Sequence, residues 1–250
     1  MNYYRGRPHG SMRSSRERGD PRKYSTALWL RRGYGNTLVV AAVSARADQS
    51  GNGNNATAAA AGNRPTASGA PVTIVFDGSD DALEMDAVVA GGAFTAAMTY
   101  KLTTTPTAGE FFSPLSFCMS ATKTFFELLI VNDAGYLPVS LGAKVGPINS
   151  VGFSPTHDTA AHRLVVSYDD GNPSLVGSYA IIYDGTSQTV VQSGALNRST
   201  DDIGSVGARV TAAHATSFPL DGAMDEVVVI GGVISQSRLS RLDGYMKAVL

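Results

Sequence analysis

Residues 163–168 read Arg-Leu-Val-Val-Ser-Tyr, and residues 179–183 read Tyr-Ala-Ile-Ile-Tyr. The turn-forming sequence Asp-Asp-Gly-Asn follows the first run at 169–172, and Asp-Gly follows the second at 184–185. Short runs rich in β-branched and aromatic residues, each ended by turn-forming residues, are typical of β-strands. This stretch therefore predicts two neighbouring strands joined through a loop.

The same pattern recurs along the chain. Further runs occupy residues 38–43, 72–76, 125–131 and 225–230. Many short strands separated by turn clusters predict an all-β fold, a two-sheet antiparallel jelly-roll sandwich. Residues 55–70, which are rich in Ala, Thr, Gly and Asn, are predicted to form an exposed loop.

One helix is predicted at the C-terminus. Apolar residues recur there at a spacing of three and four, which places them on one helical face. They are Leu239, Leu242, Tyr245, Met246 and Val249, after the Ser-Gln-Ser sequence at 235–237. We expect this helix to pack on the sandwich.

Composition excludes several classes of protein. The 250 residues are 43% hydrophobic and contain a single cysteine, so an intrachain disulfide is excluded, as is a Cys-rich zinc site. No apolar stretch approaches the ~18 residues that a membrane span needs, and the start of the chain lacks the apolar core of a signal peptide. We expect a basic arm over residues 1–26 and one domain over 27–250, made in the cytoplasm without a membrane partner.

Charge is divided unevenly between these parts. Residues 1–33 carry nine basic and two acidic side chains, a net charge of +7, so the remaining residues hold −8. Because the arm is poor in aliphatic residues, we expect it to order only against a partner. An acidic face of a protein partner or of a sister subunit is favoured over nucleic acid, and a plain solvated tail is the alternative without a partner. The predicted anchoring residues are Arg5, Arg7, Arg13, Arg16, Arg18, Arg22 and Lys23.

Five segments, in this order, resemble the concanavalin A-like, laminin-G-like jelly-roll family. They read DQSGNGNNA at 48–56, VFDGSDDAL at 75–83, HRLVVSYD at 162–169, YAIIYDG at 179–185 and FPLDGAMDEVVVIGGVIS at 218–235. The resemblance covers residues 27–250 and implies the concanavalin A-like fold with a closing helix. Lectins, glycosidases, adhesion modules and virion proteins share this fold, so the resemblance alone does not decide function.

The resemblance also implies a calcium site. In some relatives calcium lies near the strand ends, and it requires hard oxygen ligands. The matching carboxylates are Asp48, Asp77, Asp80 and Asp225, and Asn52 and Asn54 are further carbonyl donors. Turn capping by the same side chains is the alternative interpretation, and no cofactor is required for the fold.

Two catalytic patterns are incomplete. Related glucanases carry carboxylates on one strand as E-x-D-x-E or E-x-D-x-x-E, and the nearest match begins at Glu84 and Asp86. Valine occupies both 88 and 89, so the second glutamate is missing. The four histidines lie outside any G-x-S-x-G sequence, and His162 is expected to be structural. We therefore expect a protein that is not an enzyme.

Glycan binding needs an exposed aromatic ring next to hydrogen-bonding side chains. The sequence offers two groups, although half-buried aromatics at strand ends are the favoured explanation of both. They are Tyr136 with Asn132 and Asp133, and Tyr168 with Asp170. Trp29, the single tryptophan, is expected to anchor the first strand in the core.

These observations lead to two expectations for function. The first is a structural protein of a bacteriophage virion, such as a capsid decoration, head fibre or tail-associated module. It would assemble in the host cytoplasm as a homo-oligomer, bind other capsid or tail subunits through the basic arm, and display a face that binds host glycans. The alternative is a soluble, lectin-like carbohydrate-binding module.

Overall fold

A computed structural model describes residues 19–86, 88, 93–107, 110–120, 123–131, 137–141, 150–153, 158–169, 178–191, 203–210, 214 and 216–250. The first eight strands are β1 (Thr26–Leu30), β2 (Asn36–Val39), β3 (Ala42–Arg46), β4 (Ala56–Thr57), β5 (Thr66–Ser68), β6 (Thr73–Asp77), β7 (Leu83–Met85) and β8 (Phe94–Leu102). The next six are β9 (Phe111–Ser120), β10 (Lys123–Val131), β11 (Leu137–Leu141), β12 (Ser150–Phe153), β13 (Ala161–Asp169) and β14 (Ser178–Tyr183). The last are β15 (Thr186–Val191), β16 (Ile203–Val206), β17 (Arg209–Val210), β18 (Thr216–Ser217) and β19 (Asp221–Gly231), followed by helix α1 (Gln236–Val249). Two 3₁₀ turns lie at Pro21–Lys23 and Ala61–Asn63.

The strands form an antiparallel β-sandwich. One layer has the order β1–β19–β8–β13–β14–β15, and the other has the order β4–β7–β16–β9–β10–β11–β12. The two layers are continuous at one edge, because β3 pairs with β4 while β5 joins β3 to β6. The all-β sandwich with a short C-terminal helix confirms the predicted fold class.

The first layer is buried on both faces. Along β19, Val227 and Val229 belong to the core between the layers, whereas Val228 and Ile230 belong to a second core beneath α1. Successive residues of a strand point to opposite faces, so a strand covered on both sides reads as an uninterrupted apolar run. The helix covers the outer face with the apolar side chains predicted from its spacing, and Trp29 is buried in this second core. Among the helices that the structure describes, none is long and apolar enough to cross a membrane.

A glutamate lies at the centre of the contact between α1 and the sheet. Glu226 is fully buried and accepts hydrogen bonds from Trp29 Nε1 at 2.6 Å, from the backbone N–H of Arg32 at 2.9 Å and from the Tyr245 hydroxyl. Arg46 is also buried, and burial lowers its pKa to about 10 against the opposing effect of the Glu226 charge. We call these five residues the Glu226 cluster. It joins β1, β3, β19 and α1 through polar contacts.

Three predictions of secondary structure need correction. The apolar run 38–43 is a hairpin rather than one strand, because β2 and β3 are separated by a turn at Val40, whose φ is 62°. The 55–70 segment contains β4, a 3₁₀ turn and β5, with Ala56 fully buried, so it is only partly an exposed loop. The long strands β8 and β9 were not predicted, since β8 is built largely from Ala and Thr.

Candidate functional site

A glycine-rich turn joins β1 to β2. We call residues 31–35 the 31–35 turn. The Tyr34 N–H donates to the Arg31 carbonyl at 3.1 Å, and the Gly33 N–H donates to the Val72 carbonyl at 3.2 Å. Gly33 and Gly35 have φ values of 73° and 68°, a region that side chains with a Cβ rarely adopt. These contacts fix the turn and hold Tyr34 outward.

Tyr34 is the most exposed aromatic side chain in the described part of the chain, at 48%. The guanidinium carbon of Arg31 lies 3.9 Å from the centroid of its ring and 5.3 Å from that of Trp29. A guanidinium over an aromatic face is attracted by the ring quadrupole, and Arg is well suited to such stacking. The turn therefore presents an aromatic ring with a cation already in contact with it.

Two amide side chains border the 31–35 turn. Asn36 follows it directly, and its side-chain Oδ1 is buried without a hydrogen-bond partner among the described residues. Gln49 lies beside Gly35, where an added Cβ would be 3.0 Å from its Nε2. Its backbone N–H donates to the Trp29 carbonyl at 2.8 Å, which attaches the 47–55 loop to β1. An exposed ring flanked by amide groups is able to stack on a ligand and to bond to its hydroxyl groups.

The glycan-binding residues predicted from the sequence lie elsewhere. Tyr168 is only 2% exposed, belongs to the core between the layers and packs on Phe94 with ring centroids 5.9 Å apart. Its strand position points inward, so its ring is not available for stacking, which corrects the prediction for this residue. The other predicted residues lie outside the described part of the chain; they are Asn132, Asp133, Tyr136 and Asp170.

The four predicted calcium ligands do not form one group. Asp77 and Asp80 lie together with Asp81, and their carboxylate oxygens are all within 4.8 Å of one another. Burial raises the pKa of Asp81 to about 6, although a hydrogen bond from the Asp77 N–H acts in the opposite direction. These three carboxylates have the ligand chemistry that calcium prefers. Calcium binding at this turn stays a prediction.

Asp48 and Asp225 have structural partners instead. Asp48 accepts hydrogen bonds from the N–H groups of Trp29, Ser50 and Asn54 at 2.9, 2.8 and 3.1 Å, so it caps the 47–55 loop. The side-chain amides of Asn52 and Asn54 donate to carbonyl groups of β1. Asp225 pairs with Arg32 at 3.2 Å and accepts from the Thr73 hydroxyl. The capping interpretation of this loop is the one that its hydrogen bonds support.

The predicted anchoring arm lies mostly outside the described residues, which include only Arg22 and Lys23 of the seven cations. Arg22 Nε donates to Asp20 Oδ1 at 3.0 Å, so its charge is partly compensated. Gly19 packs directly on α1, because an added Cβ would lie 2.0 Å from the Arg241 carbonyl oxygen. The arm therefore leaves the domain at the surface of α1.

Two histidines contact carboxylates that the sequence did not link to them. His162, 6% exposed, is held between Asp184 at 2.7 Å and Asp158 at 3.0 Å, in agreement with a structural place. His214 Nδ1 lies 2.6 Å from Oε2 of Glu84. Because 130 positions separate these two residues, no local spacing could have predicted the pair.

Neither a protein-family model nor a curated protein matches the chain. Among solved structures, it is similar to domain 4 of AbnA, a GH43 extracellular arabinanase from Geobacillus stearothermophilus, in complex with arabinotriose. That match has a TM-score of 0.65 and 11% identity, and it covers 88% of this chain and 98% of that one. The sialidase of Trypanosoma rangeli in complex with sialic acid matches with a TM-score of 0.61 and 14% identity over 90% of this chain.

The binding domain of botulinum neurotoxin DC, in complex with SialylT, is a third similar structure. Its TM-score is 0.61 at 11% identity, with 92% of this chain and 52% of that one covered. The present chain spans only about a third of the sialidase, of which 33% is covered. At such identities the comparisons establish only the β-sandwich fold. Function has to be argued from the residues of the site.

Proposed function

We propose that this chain is a carbohydrate-binding β-sandwich module and that its binding site is the 31–35 turn. The observation that carries the proposal is the exposed ring of Tyr34, which is in contact with Arg31. The arabinanase domain, of which 98% is covered, was solved with arabinotriose, and this supports the same class of ligand. The proposal assigns binding and no catalytic step.

The chemistry of a sugar fits this surface. One face of a pyranose ring carries mainly C–H groups, which pack on an aromatic face, while its hydroxyl groups need hydrogen-bond donors and acceptors at the rim. Tyr34 provides the ring, and Gln49, whose Nε2 donates to the Ala47 carbonyl at 3.1 Å, is a polar side chain beside the turn. Because the turn is fixed by hydrogen bonds to its own carbonyl and to Val72, the ring loses little conformational freedom on binding.

A glycan array tests the proposal with the full chain and two variants. Tyr34→Ala removes the stacking ring, whereas Phe111→Ala removes the other exposed aromatic that the structure describes, at 36% exposure, and serves as the matched control. We expect the wild-type chain and the control to bind the same glycans, and the Tyr34 variant to lose at least about tenfold in affinity. A blank array, or equal binding by the Tyr34 variant, would contradict the proposal.

The basic arm supports a second proposal, anchoring on an acidic protein surface. The observation that favours it is the position of Gly19, the first described residue: Gly19 packs on α1, and Arg238 and Arg241 of that helix are exposed. Two exposed cations therefore lie on the helix that the start of the described chain contacts. The virion role stays a prediction.

Salt dependence tests this anchoring proposal. We expect the full chain to bind immobilised poly-glutamate at low salt and to be released at high salt, because salt screens exposed charges. A chain without residues 1–18 should bind much more weakly while it keeps the thermal stability of the domain. Equal binding with and without the arm would contradict anchoring, and stronger binding to DNA than to poly-glutamate would favour nucleic acid instead.

A further inference from the structure

Arg31 and Arg32 are adjacent, yet only Arg32 has its charge compensated. Arg32 pairs with Asp225 at 3.2 Å and donates through Nη1 to the Val249 carbonyl at 2.8 Å. Arg31 forms no ion pair with any residue that the structure describes, and this distinguishes it from Arg32, since the Nε atoms of both are buried without a hydrogen-bond partner there. Its described contacts are the rings of Trp29 and Tyr34.

Three carboxylates that contact Trp29 or Arg32, which are close to Arg31 in the chain, already have other partners. Asp225 is held by Arg32 and Thr73, and Asp48 accepts three backbone N–H groups of the 47–55 loop and its β1 neighbour. Glu226 accepts from Trp29, Arg32 and Tyr245. None of the three pairs with the Arg31 guanidinium, which is therefore available to an external ligand, and a guanidinium is best matched by a planar anion such as a carboxylate.

We infer that the 31–35 turn selects carboxylated sugars, with Tyr34 stacking on the sugar ring and Arg31 binding its carboxylate. This inference rests on the proposed function and names its ligand class. Since the guanidinium carbon is only 3.9 Å from the Tyr34 centroid, one sugar residue is able to touch both groups. Arg31 is here a binding residue that determines specificity.

The charge of the domain favours a small acidic ligand over a polyanion. Residues 34–250 hold a net charge of −8, which repels long chains of phosphate or sulfate. An otherwise neutral saccharide with a single carboxylate is able to bind Arg31 without bringing further negative charge close to the domain. Binding of a polyanion at this turn is thus the less favoured alternative, and the experiment includes it.

Isothermal titration calorimetry on the full chain tests the inference with three ligands. They are sialyllactose, its methyl ester, in which the carboxylate is neutralised, and lactose. We expect sialyllactose to bind at least about tenfold more tightly than the methyl ester, which corresponds to ~1.4 kcal/mol. Higher salt should reduce this preference, because the carboxylate contact is electrostatic.

Four variants separate the roles of the two residues. Arg31→Gln should remove the preference for the acid, and Arg31→Lys should retain part of it, because the charge remains while the planar guanidinium is lost. Arg64→Gln, which changes an arginine whose Nε is also buried without a hydrogen-bond partner among the described residues, is the matched control and should behave as the wild type. Tyr34→Ala should weaken all saccharides together.

The outcomes distinguish the two proposals. Equal affinity for sialyllactose and its methyl ester, or an unchanged preference in Arg31→Gln, would overturn the inference while carbohydrate binding through Tyr34 stands. In a chain without residues 1–18, which cannot bind the competitor through the arm, competition by inorganic phosphate or heparin as strong as that by sialyllactose would also overturn it, because the turn would then be a general anion site. If no saccharide binds the wild-type chain, the proposed function itself fails.

Discussion

The Glu226 cluster and the 31–35 turn are built from the same kinds of side chain, but they differ in whether a carboxylate lies beside the arginine and the aromatic rings. In the cluster, both carboxylate oxygens of Glu226 accept hydrogen bonds, and its charge acts on the buried Arg46. In the turn, Arg31 and Tyr34 contact each other without a carboxylate among the described residues, and the ring is 48% exposed. A buried carboxylate with several donors holds elements together, whereas a cation without an opposite charge beside an exposed ring is available to a ligand.

The largest effect is expected from breaking the cluster. Glu226→Ala leaves three donors without their acceptor and Arg46 buried without this opposing charge, so the free energy of unfolding should fall by about 3–5 kcal/mol. Urea denaturation measures the loss. Glu110→Ala, which changes an exposed glutamate, is the control and should cost much less. A loss below about 1 kcal/mol in Glu226→Ala would show that the cluster contributes little to stability.

A smaller effect is expected for Arg32. Arg32→Ala removes the pair with Asp225 and the hydrogen bonds to the carbonyl groups at the end of α1, so we expect a loss of about 1–3 kcal/mol. The cost should be highest at low salt, since the pair is partly exposed. Thermal unfolding at two salt concentrations checks this, and an unchanged melting temperature at both would contradict it.

Alkaline pH tests the buried polar groups without a mutation. Burial raises the pKa values of Tyr100 and Tyr183, which are 2% and 6% exposed. The folded chain therefore keeps both phenols protonated while the unfolded chain ionises near pH ~10, so stability is fully present below that pH and falls above it. Each phenol contributes up to ~1.4 kcal/mol per pH unit there. Tyr100→Phe should make the decline less steep, and equal slopes would contradict this account.

The smallest effect on stability is expected in the turn itself. Arg31→Ala removes only contacts with two rings, so the free energy of unfolding should change by about 0.5 kcal/mol or less. Urea denaturation of Arg31→Ala and Arg32→Ala under the same conditions compares their losses in the free energy of unfolding. If Arg31→Ala costs as much as Arg32→Ala, the turn is a structural element and the contrast between the two regions disappears.

The fold was predictable because most strands and the helix follow from patterns of neighbouring residues in the sequence. The strand around 225–230 and the helix at 236–249 follow from alternation and from spacings of three and four, which depend only on neighbours in the chain. The hairpin at 38–43 was missed because its turn is Val40, a β-branched residue at positive φ, where Gly or Asn is usual. Strand β8 was missed because Ala96, Ala97 and Met98 interrupt its β-branched and aromatic residues, although the strand is central and buried.

The candidate site was less predictable because it depends on contacts between distant parts of the chain. In the sequence, Tyr34 lies between Gly33 and Gly35 and follows two arginines. An aromatic residue between two glycines predicts a turn that exposes its ring, so this part of the site was predictable. The ion pair between Arg32 and Asp225 joins residues almost two hundred positions apart. The contrast with Arg31, which has no ion pair among the described residues, is therefore visible only in the folded chain. Similarly, Asp81 joins Asp77 and Asp80 only once the turn is folded.

The central claim, carbohydrate binding at the 31–35 turn, is tested most directly by mapping a bound saccharide on the isotopically labelled chain with ¹H–¹⁵N correlation spectra. On titration with sialyllactose, we expect the amide signals of residues 31–36 and of Gln49 to shift in proportion to saturation. The side-chain indole signal of Trp29, the single tryptophan, should shift with them, because Arg31 contacts its ring. Shifts confined to other surfaces, such as the turn at residues 77–81, would place the site elsewhere and contradict the claim.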